Sequence, residues 1–222
     1  KEAMFGRAQP LAGLTPPSSV TLLHRLSPYA HDAERAAELW REANGADSRP
    51  PPPPRPLRLA TANELEPVAR RVAADLKDAF GLEAEVTVCS DAEKLLVLRG
   101  LAERKPLEWD IFLYAWSGQA TDAPPLGLHH AFVGAYGELR AGPVVPEFDE
   151  MHAELKQQTS AIGLSRVSYR IDKFVYEEAL ALFLCAPQAL YAVNRHVDFT
   201  PYRTTFELAE CEVSKEHWSR RG

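Results

Sequence analysis

Residues 57–116 alternate between strand-like and helix-like patterns, and this alternation limits the possible folds more than any other feature of the chain. Strands are predicted at 57–61, 84–88 and 110–116, and helices at 64–80 and 92–103. The first helix has an apolar stripe at helical spacing, made by Leu65, Val68, Ala69, Val72, Leu76 and Phe80. Strand, helix, strand, helix, strand is a βαβαβ unit, and its crossover helices require parallel strands. We therefore predict an α/β fold, a three-layer domain with a mostly parallel sheet.

Helix boundaries are marked by polar residues and glycine. Asn63 with Glu66, and Ser90 with Glu93, have the spacing of capping boxes, and Gly81 closes the first helix. Leu95, Leu96, Leu98 and Leu101 are the apolar residues predicted for the second helix.

The third strand leads into the stretch that we consider most informative about function. Residues 109–116 are almost all apolar and rich in aromatic side chains, which is typical of a strand buried on both faces. Residues 117–124 are small or polar, so the chain leaves the sheet there. Ligands of open α/β sheets bind just beyond the carboxyl ends of strands. Trp116 through Asp122 are therefore the first place to look for a ligand.

The chain is predicted to be a single domain over 1–222 with three parts. Residues 1–49 are irregular apart from a short helix at 32–40, with Asp32 as N-cap and an end near Gly45. Residues 50–56 form a proline-rich spacer, for which docking of a proline-reading module is the alternative. Residues 57–222 are the main α/β body, with helices starting at 146 and spanning 165–178. Short strands are predicted at 181–184 and 190–193, with Pro187 turning between them.

Composition argues against several classes of function. A net charge of −6 and a pI near 5.7, without a basic stripe, disfavour nucleic acid as a partner. No apolar segment reaches the roughly 20 residues that span a bilayer, and an opening at Lys1 suggests an excised or mature fragment. Three cysteines without CxxC spacing indicate neither zinc nor a disulfide framework, and Cys89 and Cys185 are interpreted as small buried hydrophobes.

Residues with possible chemistry do not form a convincing catalytic or metal site. His129 and His130 lie near Asp122, and His152 follows, so a metal site is one hypothesis. Adjacent histidines point in different directions, which favours loop or partly buried histidines instead. No Gly-x-Ser-x-Gly motif is present, and the carboxylate pairs at 149–150 and 177–178 are interpreted as solvated helix faces. We predict no enzyme activity, cofactor or metal.

Four passages in this order resemble the C-terminal half of family 5 extracellular solute-binding proteins, the oligopeptide, dipeptide and nickel receptors of ABC importers. Residues 2–8 resemble the family's glycine-containing turn after a helix, and residues 32–40 its Tyr-Asp-Pro-Glu-Lys-Ala helix. Residues 110–122 resemble its Asp-[apolar]-Trp-[Ser/Thr]-[Gly/Ala]-Asp-x-x-Asp-Pro segment, and residues 186–197 its C-terminal Pro-[apolar]-Tyr run. The resemblance covers nearly the whole chain.

This resemblance implies a non-catalytic lobe of a two-lobe receptor that closes over peptides or similar small solutes. The resemblance also implies the other lobe, an ABC permease and a periplasmic or extracellular location, with membrane association through the parent protein. The implied ligand-binding residues are Trp116, Ser117, Gly118, Gln119 and Asp122. Gln119 stands where peptide-binding members have an Asp that holds the ligand's α-ammonium group. Tyr191 and Asn194 are weaker candidates, whereas Trp109 and Tyr114 are expected to pack in the sheet.

The alternative function is a sensory or regulatory ligand-binding module of the same ancestry, fused to a signalling or transcriptional protein. Its location would then be cytoplasmic. The neutral Gln119, the proline run and the odd number of cysteines agree with this alternative.

Overall fold

A computed structural model describes residues 6–15, 26–44, 55–103, 105–116, 126–140, 145–188, 190–201 and 208–220. The helices in these ranges are α1 (Ala33–Asn44), α2 (Glu66–Phe80), α3 (Asp91–Ala102), α4 (Leu126–Val133), α5 (Glu147–Gln157) and α6 (Ala161–Glu177). The strands are β1 (Ala8–Pro10), β2 (Leu57–Ala62), β3 (Ala84–Cys89), β4 (Ile111–Leu113), β5 (Cys185–Pro187), β6 (Val197–Asp198) and β7 (Glu212–Val213). The proline run at 50–54 lies outside the described residues.

The predicted βαβαβ unit and its parallel sheet are confirmed. Strands β3, β2 and β4 lie side by side in that order, and both pairings are parallel. The central strand β2 is the buried one, because its last four residues, 59–62, are all inaccessible to solvent. The fold is therefore α/β, with the carboxyl ends of the three strands on one edge of the sheet.

The prediction that 109–116 forms a strand buried on both faces is wrong. Only Ile111–Leu113 is strand, and these three residues are half-buried. Among the described residues β4 has a strand neighbour, β2, on one side alone, so it is an edge strand with fewer neighbours to cover it, and its aromatic rings pack against one another.

Local capping predictions are confirmed at two helices and wrong at a third. The Asp32 carboxylate accepts from the Arg35 N–H at 2.8 Å at the start of α1. Ser90 and Glu93 form the reciprocal capping box of α3. Asn63 caps nothing, because residues 63–65 form a 3₁₀ turn and α2 begins only at Glu66, without a side-chain cap.

A second core lies between α4, α5 and α6. Its buried side chains come from these helices and from the segment after β1: Leu14, Val133, Phe148, Met151, Leu155, Val167, Ile171 and Val175. Burying one such side chain fully contributes about 1.5–3 kcal/mol. The longest helix starts earlier than predicted, at Ala161, because the Ser160 hydroxyl accepts from the Gly163 N–H at 3.1 Å and caps it.

The predicted late strands are wrong. Residues 181–184 and 190–193 are irregular, and Pro187 lies inside β5 instead of in a turn. Strand β5 pairs antiparallel with β1, more than 170 residues earlier in the chain. This pairing decides which residues are extended, and a local pattern cannot show it.

Two further findings concern the cysteines and membrane spans. Cys89 and Cys185 are free and half-buried, so they are less buried than predicted.

Within the ranges that the structure describes, each helix is too short or too polar to serve as a membrane span.

Candidate functional site

Trp116 follows β4 at the carboxyl edge of the sheet, three residues after the strand ends. Its side chain is partly open to solvent, with the residue 36% exposed. Its ring lies edge-on to the Tyr114 ring, with 6.3 Å between centroids. A β-carbon built on Gly127, at the start of α4, would lie 3.7 Å from the Trp116 ring. One side of the indole is thus supported by protein, while part of it faces solvent.

A series of aromatic rings supports Trp116 from the strand side. Phe112 and Tyr114 stack at 5.7 Å, and Trp109 lies 5.1 Å from Phe112. Residues 112, 114 and 116 alternate along an extended chain, which places their side chains on one face. Burial raises the pKa of Tyr114, and the nearby Glu138 raises it further, so its phenol stays protonated near neutral pH. The structure therefore presents Trp116 at the end of a row of packed aromatic rings.

The opposite end of β4 is fixed by an ion pair. The Asp110 carboxylate accepts from Arg55 at 2.6 and 2.9 Å and from the backbone N–H of Arg58 at 2.8 Å. The hydrogen bonds from Arg55, followed by that from Arg58, hold the pKa of Asp110 well below its usual range. Asp110 thus anchors the start of the strand whose other end carries Trp116.

The other four residues predicted to bind ligand lie outside the described residues. These are Ser117, Gly118, Gln119 and Asp122, in the segment 117–125 that joins β4 to α4. Their role stays a prediction. The two weaker candidates are described: Tyr191 packs edge-on against Phe199 at 5.3 Å, and the Asn194 carboxamide accepts from the His196 N–H at 2.9 Å.

His129 belongs to a buried polar cluster that the sequence analysis did not identify. Its Nε2 lies 3.0 Å from the Asp172 carboxylate, and both side chains are almost completely buried. The same carboxylate accepts from the backbone N–H groups of Leu14 and Thr15 at 3.0 and 3.3 Å, and the Thr15 hydroxyl lies 3.3 Å from His129 Nε2. We call His129, Asp172, Leu14 and Thr15 the Asp172 cluster.

The Asp172 cluster joins three parts of the chain: the segment after β1, α4 and α6. A buried carboxylate needs such partners, because an unpaired charge in the core is costly. The expectation of a loop or partly buried histidine is wrong at 129, since this residue is helical and fully buried. No sequence signal nearby could have shown this, because its partner lies 43 residues away.

His130 points away from this cluster and pairs with His152 on α5. The His130 Nδ1 and His152 Nε2 atoms are 2.9 Å apart. The prediction that 129 and 130 face different directions is therefore confirmed. Across the part of the chain that the structure describes, no three metal-binding side chains come together.

Comparison with known proteins identifies the fold. No family model and no curated protein matches the sequence. Solved structures do match: the oligopeptide-binding protein AppA of Bacillus subtilis has a TM-score of 0.72 at 16% identity, covering 96% of this chain and 44% of AppA. A periplasmic oligopeptide-binding protein of Borrelia burgdorferi has a TM-score of 0.70 at 16% identity, covering 93% of this chain and 40% of its own.

This chain has the fold of one part of an ABC substrate-binding protein. NikA of Staphylococcus aureus, solved with Ni(L-His)2, also matches, with a TM-score of 0.62, 16% identity and coverage of 81% and 37%. The predicted resemblance is thus confirmed as a resemblance of fold. The chain spans only about 40% of the length of the substrate-binding proteins that it matches.

Proposed function

We propose that this chain is a non-catalytic ligand-binding lobe of an ABC-importer substrate-binding protein for peptides or similar small solutes. The observation that supports this most is the partly exposed Trp116, at the carboxyl edge of a sheet whose fold is shared with peptide-binding proteins. AppA was solved with a nonapeptide, and another match, DppA of Helicobacter pylori, with the peptide STSA.

The chemistry of the proposed site suits an extended, largely uncharged ligand. The indole of Trp116 supplies a large rigid wall, and the backbone groups of 117–122 supply donors and acceptors for peptide amides. Gln119 is neutral, so it accepts from an ammonium group without the attraction of a full charge. An Asp carboxylate at this position would add the attraction between two opposite charges, which Gln119 lacks. Ser117, Gly118 and Asp122 complete the proposed site.

The rest of such a receptor lies outside this sequence in our proposal. A second lobe would cover the ligand, and an ABC permease would receive it at a periplasmic or extracellular face. One lobe provides a single wall, whereas ligands of high affinity have most of their surface buried. We therefore expect the 222-residue chain alone to bind peptides with a Kd no better than high micromolar.

The test is calorimetric titration of the complete gene product with a peptide library, in wild type and in two tryptophan variants. Trp116→Ala removes the proposed wall and should weaken binding at least tenfold. Trp218→Ala is the matched control, because this tryptophan is 73% exposed and lies in a C-terminal 3₁₀ turn. Equal affinities of the wild type and Trp116→Ala would contradict the proposed site. Sub-micromolar binding by the 222-residue chain would contradict the need for a second lobe.

A further inference from the structure

The pair of His130 and His152 is a direct hydrogen bond between two imidazole rings. The two nitrogens are 2.9 Å apart and the ring centroids 5.1 Å apart. The second distance exceeds the first by nearly twice the distance from an imidazole centroid to its ring nitrogen. Both nitrogens therefore lie on the line between the two centroids, and each points at the other. Two imidazoles that share a metal ion would instead both point at a third position. The geometry is therefore that of one N–H donor and one lone-pair acceptor.

The surroundings of the pair favour neutral rings. Burial is the main cause that lowers the pKa of both histidines. Neighbouring charges also contribute on both helices. His129 and Lys156 lower the pKa of His130. His130, Lys156 and Arg140 lower the pKa of His152, whereas Asp149 raises it. Asp149 is itself paired with Arg140 at 2.7 Å. On the third helix, Asp172 bonds His129 and not this pair.

We propose that the hydrogen bond between His130 and His152 is an acid-sensitive latch that holds α4 against α5. One added proton leaves the bond intact, because the charged ring still donates to the neutral one. A second proton removes the acceptor and places two cations in contact. The latch then opens. Because Gly127, in the first turn of α4, lies near the Trp116 ring, acid would loosen the chain beside the proposed ligand wall. Only this last step depends on the proposed function.

The sign of the pH effect follows from the lowered pKa values. In the unfolded chain a histidine titrates near about 6.5. In the folded chain the pKa values of His130 and His152 are lower, so the folded state takes up these protons only at lower pH. As the pH falls below the pKa of the unfolded chain, the unfolded state therefore binds more protons than the folded state. The stabilisation is complete above about pH 6.5 and is lost as the pH falls from there through the folded pKa values. For each extra proton, the opening equilibrium shifts by up to about tenfold per pH unit.

The experiment measures hydrogen exchange of the α4 amides in the 222-residue chain at pH 7.5 and 5.5, corrected for the intrinsic exchange rate. In wild type, protection of α4 should fall by about tenfold or more at the lower pH. His152→Gln is the decisive variant, because a Gln amide reaches the position of Nε2 and can either donate or accept. It should keep the contact at both pH values and so leave a smaller pH dependence, that of the buried His130 alone.

Two further variants complete the design. His152→Ala should show low protection of α4 at both pH values, since it has no partner for His130. The exposed His31→Gln should behave as wild type. An equal loss of protection in His152→Gln and wild type would place the acid-sensitive group elsewhere, and would overturn the proposal. Hydrogen exchange requires no ligand, so the latch can fail while the proposed binding function stands.

Discussion

Removing the Asp172 carboxylate should be among the most destabilising single changes in the described chain. Asp172 is buried and accepts from three donors: the backbone N–H groups of Leu14 and Thr15 and the His129 ring. Asp172→Ala leaves all three without this acceptor and fills none of the space. Each buried donor left without an acceptor costs about 1–3 kcal/mol, so we expect a loss of about 3 kcal/mol or more. Asp172→Asn keeps the shape and one acceptor oxygen, so we expect a smaller loss of about 1–3 kcal/mol.

Urea unfolding of the two variants and of wild type measures these differences as changes in midpoint at constant slope. Asp75→Ala is a suitable control, because Asp75 pairs with Arg71 on the exposed face of α2. Exposed ion pairs contribute little, so this control should unfold almost as wild type does. A loss below about 1 kcal/mol for Asp172→Ala would refute the argument, since it would mean that water or other groups replace the carboxylate at no cost.

Three other changes test separate parts of the structure. Gly13→Ala would place a β-carbon 2.9 Å from the Asp172 carboxyl carbon and should lower the free energy of unfolding in urea by about 1–3 kcal/mol. The control Gly100→Ala lies in open space on α3 and should raise that free energy by up to about 1 kcal/mol. Equal effects of the two variants would contradict the crowding at Gly13. Ser160→Ala removes the N-cap of α6 and should cost about 1 kcal/mol in the same assay; an unchanged midpoint would show that the cap is dispensable. Gln119→Asp in the complete gene product should increase the affinity for peptides with a free amino terminus by about tenfold to a hundredfold, measured by calorimetry. The affinity for amino-terminally blocked peptides should not change. Equal gains for both kinds of peptide would show that Gln119 does not face the ligand's amino end.

The sequence predicted well what is decided by neighbouring residues. The alternation of strand-like and helix-like patterns in 57–103 indicated the strands and crossover helices correctly. The buried face of α3 was predicted only in part, because Leu95 and Leu96 are 64% and 67% exposed whereas Leu98 and Leu101 are buried. The Ser90 box and the Asp32 cap are equally local. The failure at Asn63 is also local: Pro67 fits the first helical turn, and a 3₁₀ turn occupies the position that the cap would need.

The features that escaped prediction depend on partners far away in the chain. Strand β5 exists because β1 pairs with it, and the buried His129 has its hydrogen-bond partners in Asp172 and Thr15, far away in the chain. The helix α4 was missed because residues 126–133 are mostly apolar, with weak helical periodicity to set them apart from a buried loop. For the candidate site, the position of Trp116 at the sheet edge followed from the end of the apolar run, whereas the proximity of Gly127 to its ring required the fold.

The pairing of β1 with β5 brings the entry and exit of a long stretch of chain to the same place. The Leu11 N–H donates to the Leu184 carbonyl at 3.4 Å, and the Gln188 N–H to the Arg7 carbonyl at 2.8 Å. The two ends of the segment 11–184 thus lie next to each other in the structure. A segment with adjoining ends adds little loop-closure entropy when it is inserted into another chain. This stretch therefore has the form of a transferable insert, which a surface loop of an unrelated host could carry with both junctions already joined by backbone hydrogen bonds.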